Sequence, residues 1–524
     1  MKLTVFLSLF WAMNLLYGEW FAYLVPSHST CCWPHLQRPS LPNGVGYSSS
    51  YIKIAVIADP QLMDRTSLPL APKSLALKVV RFYSDLYMRR AFLSSILPFN
   101  PDVILFLGDY FVGSYNLSDE EWQESLGRFR HIFNLNTNHK TSNIKIYYLS
   151  GNHDIGYSAL YYQKPEIIKR YETAFGARNF KVTIGEVDFI AIDAQTLDGH
   201  PQGNFTSDTW GFVENVSKDI SSTPRVLLTH IPLYRPDWTP CGPHRSSPIV
   251  NQLVHRVDHD REIVYQNYIT EKSTNLLLEL IKPALVVSGH DHDQCTFSHA
   301  YSNGHTIEHT VRPVSWQQGN LHPSFMLLSA KNSSVSDGIT PEDALMTNLC
   351  FLPAQTHIYR WYLSLFAMTV VVILLWPANE VHITRNLCSL MVIIIDVFKS
   401  LTNVVKEKNE DEKAEYEEIW DAEGAMHLIK KTKKVPVLKE SSSAQRGNVV
   451  MRSKVHRQDA EAATEDVNTH AGLGRSKRSR ANTIIWRFLL ALRALMIIAG
   501  INIPLYVLLV LTDWMDKNFQ THPY

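Results

Sequence analysis

Cysteine is scarce in this chain of 524 residues. There are six, at positions 31, 32, 241, 295, 350 and 388, and no Cys-x-x-Cys pair among them. That excludes a disulfide-built scaffold, a zinc ribbon and a thioredoxin-like redox pair. Net charge is lacking too. Fifty Lys and Arg balance fifty Asp and Glu, so composition gives no reason to expect nucleic acid or another polyanion as partner. Charged residues make up only 19% of the chain against 45% apolar, a balance that excludes wholesale disorder. The length allows roughly two to four domains and a large buried core.

Long apolar runs are few, one at the amino end of the chain and the others beyond residue 356. Lys2 precedes the run Leu3–Tyr17, followed by Gly18-Glu19 and a second apolar piece, Trp20–Val25. A basic start before an apolar run marks a secretory signal or a signal anchor. Leu3–Val25 is 23 residues, long enough to span with Glu19 near the interface. An uncleaved anchor over 1–25 is the preferred expectation. Trp361–Trp376 is uncharged, and with the preceding four residues predicts a transmembrane helix over 357–376. Leu387–Phe398 is short and contains Asp396, so it reads as an interfacial or partial span. Ala494–Leu511 is uncharged between Arg493 and Asp513 and predicts a last span within 484–511.

Between them, residues 399–481 are hydrophilic. Nine acids crowd 407–423, and 13 Lys/Arg face five acids over 424–480. Such blocks read as a disordered, solvated loop. Its basic end abuts the last span, which predicts a cytosolic loop and a luminal 26–355. The four N-x-S/T sequons, at Asn116, Asn204, Asn215 and Asn332, all fall in the luminal part. In that oxidising compartment Cys241 and Cys295 could pair, or stand as two unrelated thiols.

Residues 26–50 are rich in Pro, Ser and Gly and read as a linker to a luminal domain over 51–335. There, apolar runs alternate with amphipathic stretches. Ile52–Ala58, Val103–Leu107, Ile144–Leu149, Val187–Ile192, Val226–Leu228 and Leu285–Val287 read as buried strands. Stretches near 74–97, 119–134, 165–175 and 270–281 have helical periodicity. The alternation predicts an α/β domain.

Five short motifs follow these runs: Ala58-Asp59-Pro60-Gln61, Gly108-Asp109-Tyr110, Gly151-Asn152-His153-Asp154, Thr229-His230 and Gly289-His290-Asp291-His292. Each sets a ligand-type residue beyond the carboxyl end of a strand, where sites of α/β sheets assemble. Carboxylates, imidazoles and an amide are the donors that Mn, Fe or Zn accept. Asp109, with two oxygens, is the candidate bridge between two cations. Asp59 and His292 complete one metal, and Asn152, His230 and His290 the other. Two cations ~3.5–4 Å apart clamp a phosphate between its attacking and leaving oxygens. His153 is placed to donate a proton to the leaving oxygen, with Asp154 holding its imidazole. Any one of the 22 histidines would mean little alone; the ordered set carries the inference.

That ordered set resembles the calcineurin-like metallophosphoesterase superfamily over roughly residues 51–330. The resemblance implies a four-layer sandwich, two mixed β-sheets flanked by helices, around a dinuclear centre. The context of the motifs, together with His230-Ile231-Pro232-Leu233-Tyr234-Arg235, Ser288-Gly289-His290 and Pro323-Ser324-Phe325, is similar to the eukaryotic membrane members that remodel GPI anchors. What this implies is a luminal catalytic domain between hydrophobic ends. The implied activity removes an ethanolamine-phosphate side branch from the GPI glycan, using manganese, in the endoplasmic reticulum or early secretory pathway. It would support transport of GPI-anchored proteins from there. The implied partners are the GPI glycolipid or GPI-anchored proteins and the membrane, with no nucleic acid. One departure stands out: the superfamily has Asp-x-His where this chain has Asp59-Pro60-Gln61. Gln61 is then a weak neutral ligand favouring Mn²⁺, or it leaves a place for water, or it caps the turn.

Tyr110, Arg235 and Trp316 are candidate substrate-binding residues by position, Arg235 for a second phosphate. Asp193 reads as closing the Val182–Asp193 hairpin. The competing function class is a luminal metallophosphatase acting on nucleotides or phosphoproteins. Flanking spans favour the glycolipid, because a soluble substrate gains little from tethering.

Overall fold

The computed structural model describes residues 2–37, 51–68, 71, 74–135, 143–219, 223–248, 251–257, 262–302, 304–317, 322–332, 344–376, 416–420, 426–430 and 480–515. The chain divides into two compact units, Met1–Val371 with Ala494–Tyr524, and Val372–Arg493.

In the first unit the apolar runs become strands at or within a residue of the predicted ends. β1 (Tyr51–Ile57), β2 (Val103–Phe106) and β3 (Lys145–Tyr148) are parallel neighbours. β4 (Phe180–Ile184) and β5 (Val187–Ile192) form a hairpin, and β6 (Arg225–Thr229) runs parallel to β5. β7 (Val254–Arg256) and β8 (Ile263–Gln266) pair by themselves. β9 (Leu285–Ser288) joins β6, followed by the hairpin β10 (Cys295–Tyr301) and β11 (Gly304–Thr310). β12 (Ser324–Lys331) and β13 (Leu345–Phe351) close the count. One sheet has the order β13-β12-β1-β2-β3 and the other β10-β11-β9-β6-β5-β4. Both are mixed: the first is antiparallel on the β13-β12 side and parallel through β1, β2 and β3, and the second has an antiparallel pair at each edge of a parallel centre. The central strands bury both faces, which is why they read as continuous apolar runs rather than alternations.

Side-chain alternation along each strand supplies separate clusters. Val56, Leu105 and Leu149 pack in one cluster with Phe189, Leu228 and Val287 of the other sheet. Ile57, Ile104 and Phe106 point the other way, into Tyr87, Phe92, Phe129 and Phe133. Those aromatics come from α1 (Leu75–Arg90), the turns after it, and the end of α2 (Asp119–Ile132). Ser118 caps α2, accepting from Glu121, whose carboxylate returns the bond. After β3 come the single turn α3 (Asn152–Ile155) and α4 (Pro165–Phe175). On the second sheet, Ile190, Leu227 and Val286 meet Val213 of α5 (Asn204–Ser217) and Leu277 of α6 (Glu271–Ile281).

Three helices are long and apolar enough to cross a membrane: Lys2–Thr30, Gln355–Leu375 and Ile485–Trp514. Gly18 lets the first approach the second, since a Cβ there would lie 2.1 Å from the Tyr362 hydroxyl. The Asn502 amide on the third donates to the Ser8 hydroxyl at 3.1 Å.

Several features differ from expectation. The first helix runs on to Thr30, and Trp33 is buried, donating to the Phe99 carbonyl at 3.1 Å. The start of the expected linker is therefore part of the packed unit. β13 extends the first sheet past residue 335 to Phe351. A disulfide joins Cys31, just after the first helix, to Cys350, just before the second; Cys241 and Cys295 form another. Residues 387–398 and most of 399–481 lie outside the described residues. Within the latter, β14 (Tyr416–Trp420) and β15 (Met426–Lys430) pair antiparallel, so the expected disorder does not extend to them.

Candidate metal centre

The five motifs emerge from the carboxyl ends of β1, β2, β3, β6 and β9, three parallel strands of one sheet and two of the other. Both sheets deliver them to the same place. The His290 amide donates to both Asp59 oxygens at 3.2 Å, and His230 Nε2 stands 3.1 Å from Asn152 Oδ1. His230 Nδ1 faces the Leu107 carbonyl at 2.8 Å.

The backbone turns sharply to do this. Asp59, Gln61, Asp109, His290 and His292 all have positive φ, between 41° and 67°. Non-glycine residues rarely adopt that conformation, and such strain collects at functional sites. Gly151 has no alternative, because a Cβ there would lie 2.1 Å from Asp109 Oδ1.

Two overlapping sets of ligand atoms result: Asp109 with His230 and His290, and Asp59 with Asp109 and His292. In each set the atoms lie within 4.8 Å of one another. Asp109 is common to both, as a bridge requires, and Asn152 reaches the first set through His230. The carbonyls around the rings decide which nitrogen is free. A carbonyl only accepts, so Leu107 takes the Nδ1 proton of His230 and makes Nε2 the nitrogen turned to the centre, where a cation would displace its proton. Gln266 O, 3.2 Å from His290 Nε2, likewise leaves Nδ1 free. Gln61 turns its amide into the second set, 2.9 Å from Asp109 Oδ2 and 3.0 Å from His292 Nε2. It therefore stands at the centre rather than capping a turn.

Burial pushes the Asp59 carboxyl up to about 8, against the pull of His230. Burial would raise Asp109 as well, but His230 and His153 hold it below the usual carboxylate range. His292 is driven down to about 4 by burial, and His290 also falls. His230, despite burial, rises to about 9 beside Asp109. Two buried carboxylates thus compete for the protons of neighbouring imidazoles, with no guanidinium or ammonium bonded to them among the described residues. Oxygen and nitrogen donors so crowded and uncompensated fit divalent cations.

The expected catalytic pair is rearranged. His153 is half-exposed, its amide donates to Asp109 Oδ1 at 2.9 Å, and its Nδ1 bonds the Val112 carbonyl. Asp154 does not hold that ring. Its carboxylate accepts the N–H groups of Asp109, Tyr110 and Gly151 at 2.8–3.0 Å, so it fixes the two loops that carry the ligands. The reason is position: on the tight turn of α3 the residue after His153 points back beneath the motif. Tyr110 is fully buried among aromatics, its hydroxyl on the Leu149 carbonyl, which removes it from any substrate wall. Arg235 is buried over Tyr268 and paired to Asp291 at 3.0 Å. Trp316 is half-buried, with its Nε1 enclosed and without a hydrogen-bond partner among the described residues. Asp193 does more than close a hairpin, since it pairs with Arg178 and accepts from Tyr161.

Asp291, quoted within its motif, is given no role by the sequence reading, and Arg245 and Gln317 are absent from it. Asp291 takes Arg235 and Arg245 between the two ligand histidines. Its place inside Gly289–His292 was the available signal. Nothing in the sequence ties Gln317 to the Gln61 carbonyl. A cleft of about 770 Å³, lined by Arg225, Lys282, Leu285 and His305, opens at the amino ends of β6 and β9, the far edge from these groups.

Residues 52–294 match the family model described as calcineurin-like phosphoesterase. The chain is 30% identical over 323 residues to Cell division control protein 1 of Saccharomyces cerevisiae, covering 59% of this chain and 63% of that one. It thus spans less than two thirds of that relative's length. It is 26% identical over 361 residues to a Metallophosphoesterase 1 homolog of Drosophila melanogaster, covering 66% and 85%. With Metallophosphoesterase 1 of Rattus norvegicus the identity is 24% over 383 residues, covering 69% and 86%.

Proposed function

We propose a substrate for a chain that, over residues 52–294, is a calcineurin-like, metal-dependent phosphoesterase: an ethanolamine-phosphate side branch on the glycan of a GPI anchor, released at the membrane by hydrolysis of the phosphodiester that joins it to the sugar, water adding to phosphorus as the sugar oxygen leaves. On this reading the two mixed sheets are the inner layers of a four-layer sandwich. The observation that carries the reading is the union of a shared-carboxylate centre with three membrane-length helices, two of which pack within the same unit by side-chain contacts to the domain's own α1.

Asp59, Asp109 and His292 would hold one cation, and Asp109, Asn152, His230 and His290 the other. Gln61 stands beside the first set in place of an imidazole, its amide nitrogen donating to Asp109 Oδ2, so it would hold the shared carboxylate and leave a place for water; the remaining carboxylate and imidazole donors suit Mn²⁺, with Fe or Zn as alternatives. Bound there, two cations supply a positive clamp for a phosphate. The rest is the work of this chain. Its Val112 carbonyl accepts the Nδ1–H of His153 and fixes the ring, so that as an imidazolium it presents Nε2–H to the departing alkoxide oxygen and is left neutral when that proton is given up. Asp154 keeps the Gly108 and Gly151 turns together by three N–H bonds.

A luminal site in the early secretory pathway agrees with two further features. All four sequon asparagines are exposed, and both disulfides lie in the unit that holds the centre, as an oxidising compartment permits. The test is mass analysis of GPI glycans from cells lacking the protein. Ethanolamine phosphate retained on a defined sugar is expected, and glycans identical to wild type would remove this substrate.

A further inference from the structure

Helix α1 stands between the metal centre and the membrane-length helices, and it is pinned to both. On the site side, the Ser84 hydroxyl bonds the Gln317 amide, whose nitrogen in turn bonds the Gln61 carbonyl. One residue on, Asp85 grips Arg128 in two bonds of 2.7 Å, and Arg128 donates to the Met63 carbonyl at 2.9 Å. Both chains end on the loop that carries Asp59 and Gln61.

On the membrane side the same helix ends in Arg90. Its guanidinium pairs with Glu19 of the first span and with Asp513 of the third, the latter at 2.7 Å. It also lies over the Tyr23 ring, and Arg89 donates to the Asp513 carbonyl at 2.8 Å. The second span joins through Tyr362, which donates to Glu19 at 3.0 Å, and Tyr359, whose ring meets those of Tyr83 and Trp316. Ser84 and Arg90 are six residues apart, or about 9 Å along a helix. A short rigid rod therefore links the ligand loop to all three spans.

The side chains of Arg90 and Glu19 are 3% and 1% exposed. Buried ion pairs add little stability over apolar packing, but breaking one is costly, so their effect falls on geometry. We infer that Arg90, clamped by Glu19 and Asp513, is a positioning residue that sets the height of the metal centre over the bilayer and so selects phosphodiesters carried at a matching height on a lipid. This rests on the proposed membrane-borne substrate, though not on its being a GPI glycan.

The test uses the full chain in phosphatidylcholine vesicles, with an aryl phosphodiester anchored to a lipid through spacers of graded length. Bis-p-nitrophenyl phosphate serves as the soluble control. The wild type is expected to prefer one spacer by about tenfold, as effective concentration peaks when reach matches span. Asp513→Asn, or Glu19→Gln if that variant does not fold, should flatten the profile while metal content and soluble turnover stay within about twofold. A flat wild-type profile, or an equal loss on soluble and anchored esters, overturns the inference. Failure of the ethanolamine-phosphate reading would show separately, as unchanged GPI glycans in cells beside an intact spacer profile.

Discussion

The candidate metal centre and the junction with the membrane-length helices both bury acids, but they neutralise them differently. Asp59 and Asp109 are fully buried, and their partners are backbone N–H groups, the Gln61 amide and imidazoles. At the junction Glu19 and Asp513 close on the guanidinium of Arg90. The same self-neutralisation recurs at Asp85 with Arg128, Asp193 with Arg178, and Asp293 with Arg312. A buried acid that has its own arginine is structural. A cluster that has none, held on strained backbone, is arranged for a charge from outside.

Breaking the contrast at its strongest point means Asp109. Asp109→Asn keeps the shape and removes the shared charge, so both ions should be lost and turnover should fall by more than about 10²-fold, beyond the effect of an outer partner. Metal analysis of the purified protein checks this; two full-occupancy ions in the variant would end the bridging role. His153→Ala sharpens the contrast from within. It should keep both ions and lose ~10²–10⁴-fold in turnover, the range for a proton donor. Unchanged turnover would show that the leaving oxygen takes its proton elsewhere. The smallest effect on chemistry is expected at the junction. Arg90→Met leaves Glu19 buried and unpaired, at a cost of about 3–5 kcal/mol in stability. The melting temperature in detergent should drop while the metal content of folded protein holds, and an unshifted melting temperature would refute the pairing.

The legibility of the site follows from where its residues lie. His230, His290 and the Asp59, Asp109 and Asn152 turns could be read because each follows an apolar strand directly, and parallel strands deliver their ends to one edge. The role of Asp154 could not, because adjacency to His153 says nothing about the direction of a side chain on a single helical turn. Tyr110 failed for a similar reason: the residue after a ligand faces inward when the ligand faces out, and here it enters the aromatic cluster of Phe106, Phe129 and Phe175. Glu19 reads as an interfacial charge until Arg90, 71 residues on, is seen beside it. β12 and β13 escaped because their burial depends on antiparallel matches made only in the sheet, of β12 to β1 and of β13 to β12.

The sequence by itself determined the strands that carry the ligand motifs, the order of those motifs and the long apolar runs, since periodicity and turn chemistry are local properties of the chain. Only the tertiary structure decided which acids acquire a neutralising arginine, which carbonyl orients each imidazole and how the membrane-length helices grip the domain that holds the ligand groups. Those are contacts between residues tens to hundreds of positions apart, and they exist only after folding has brought the elements together.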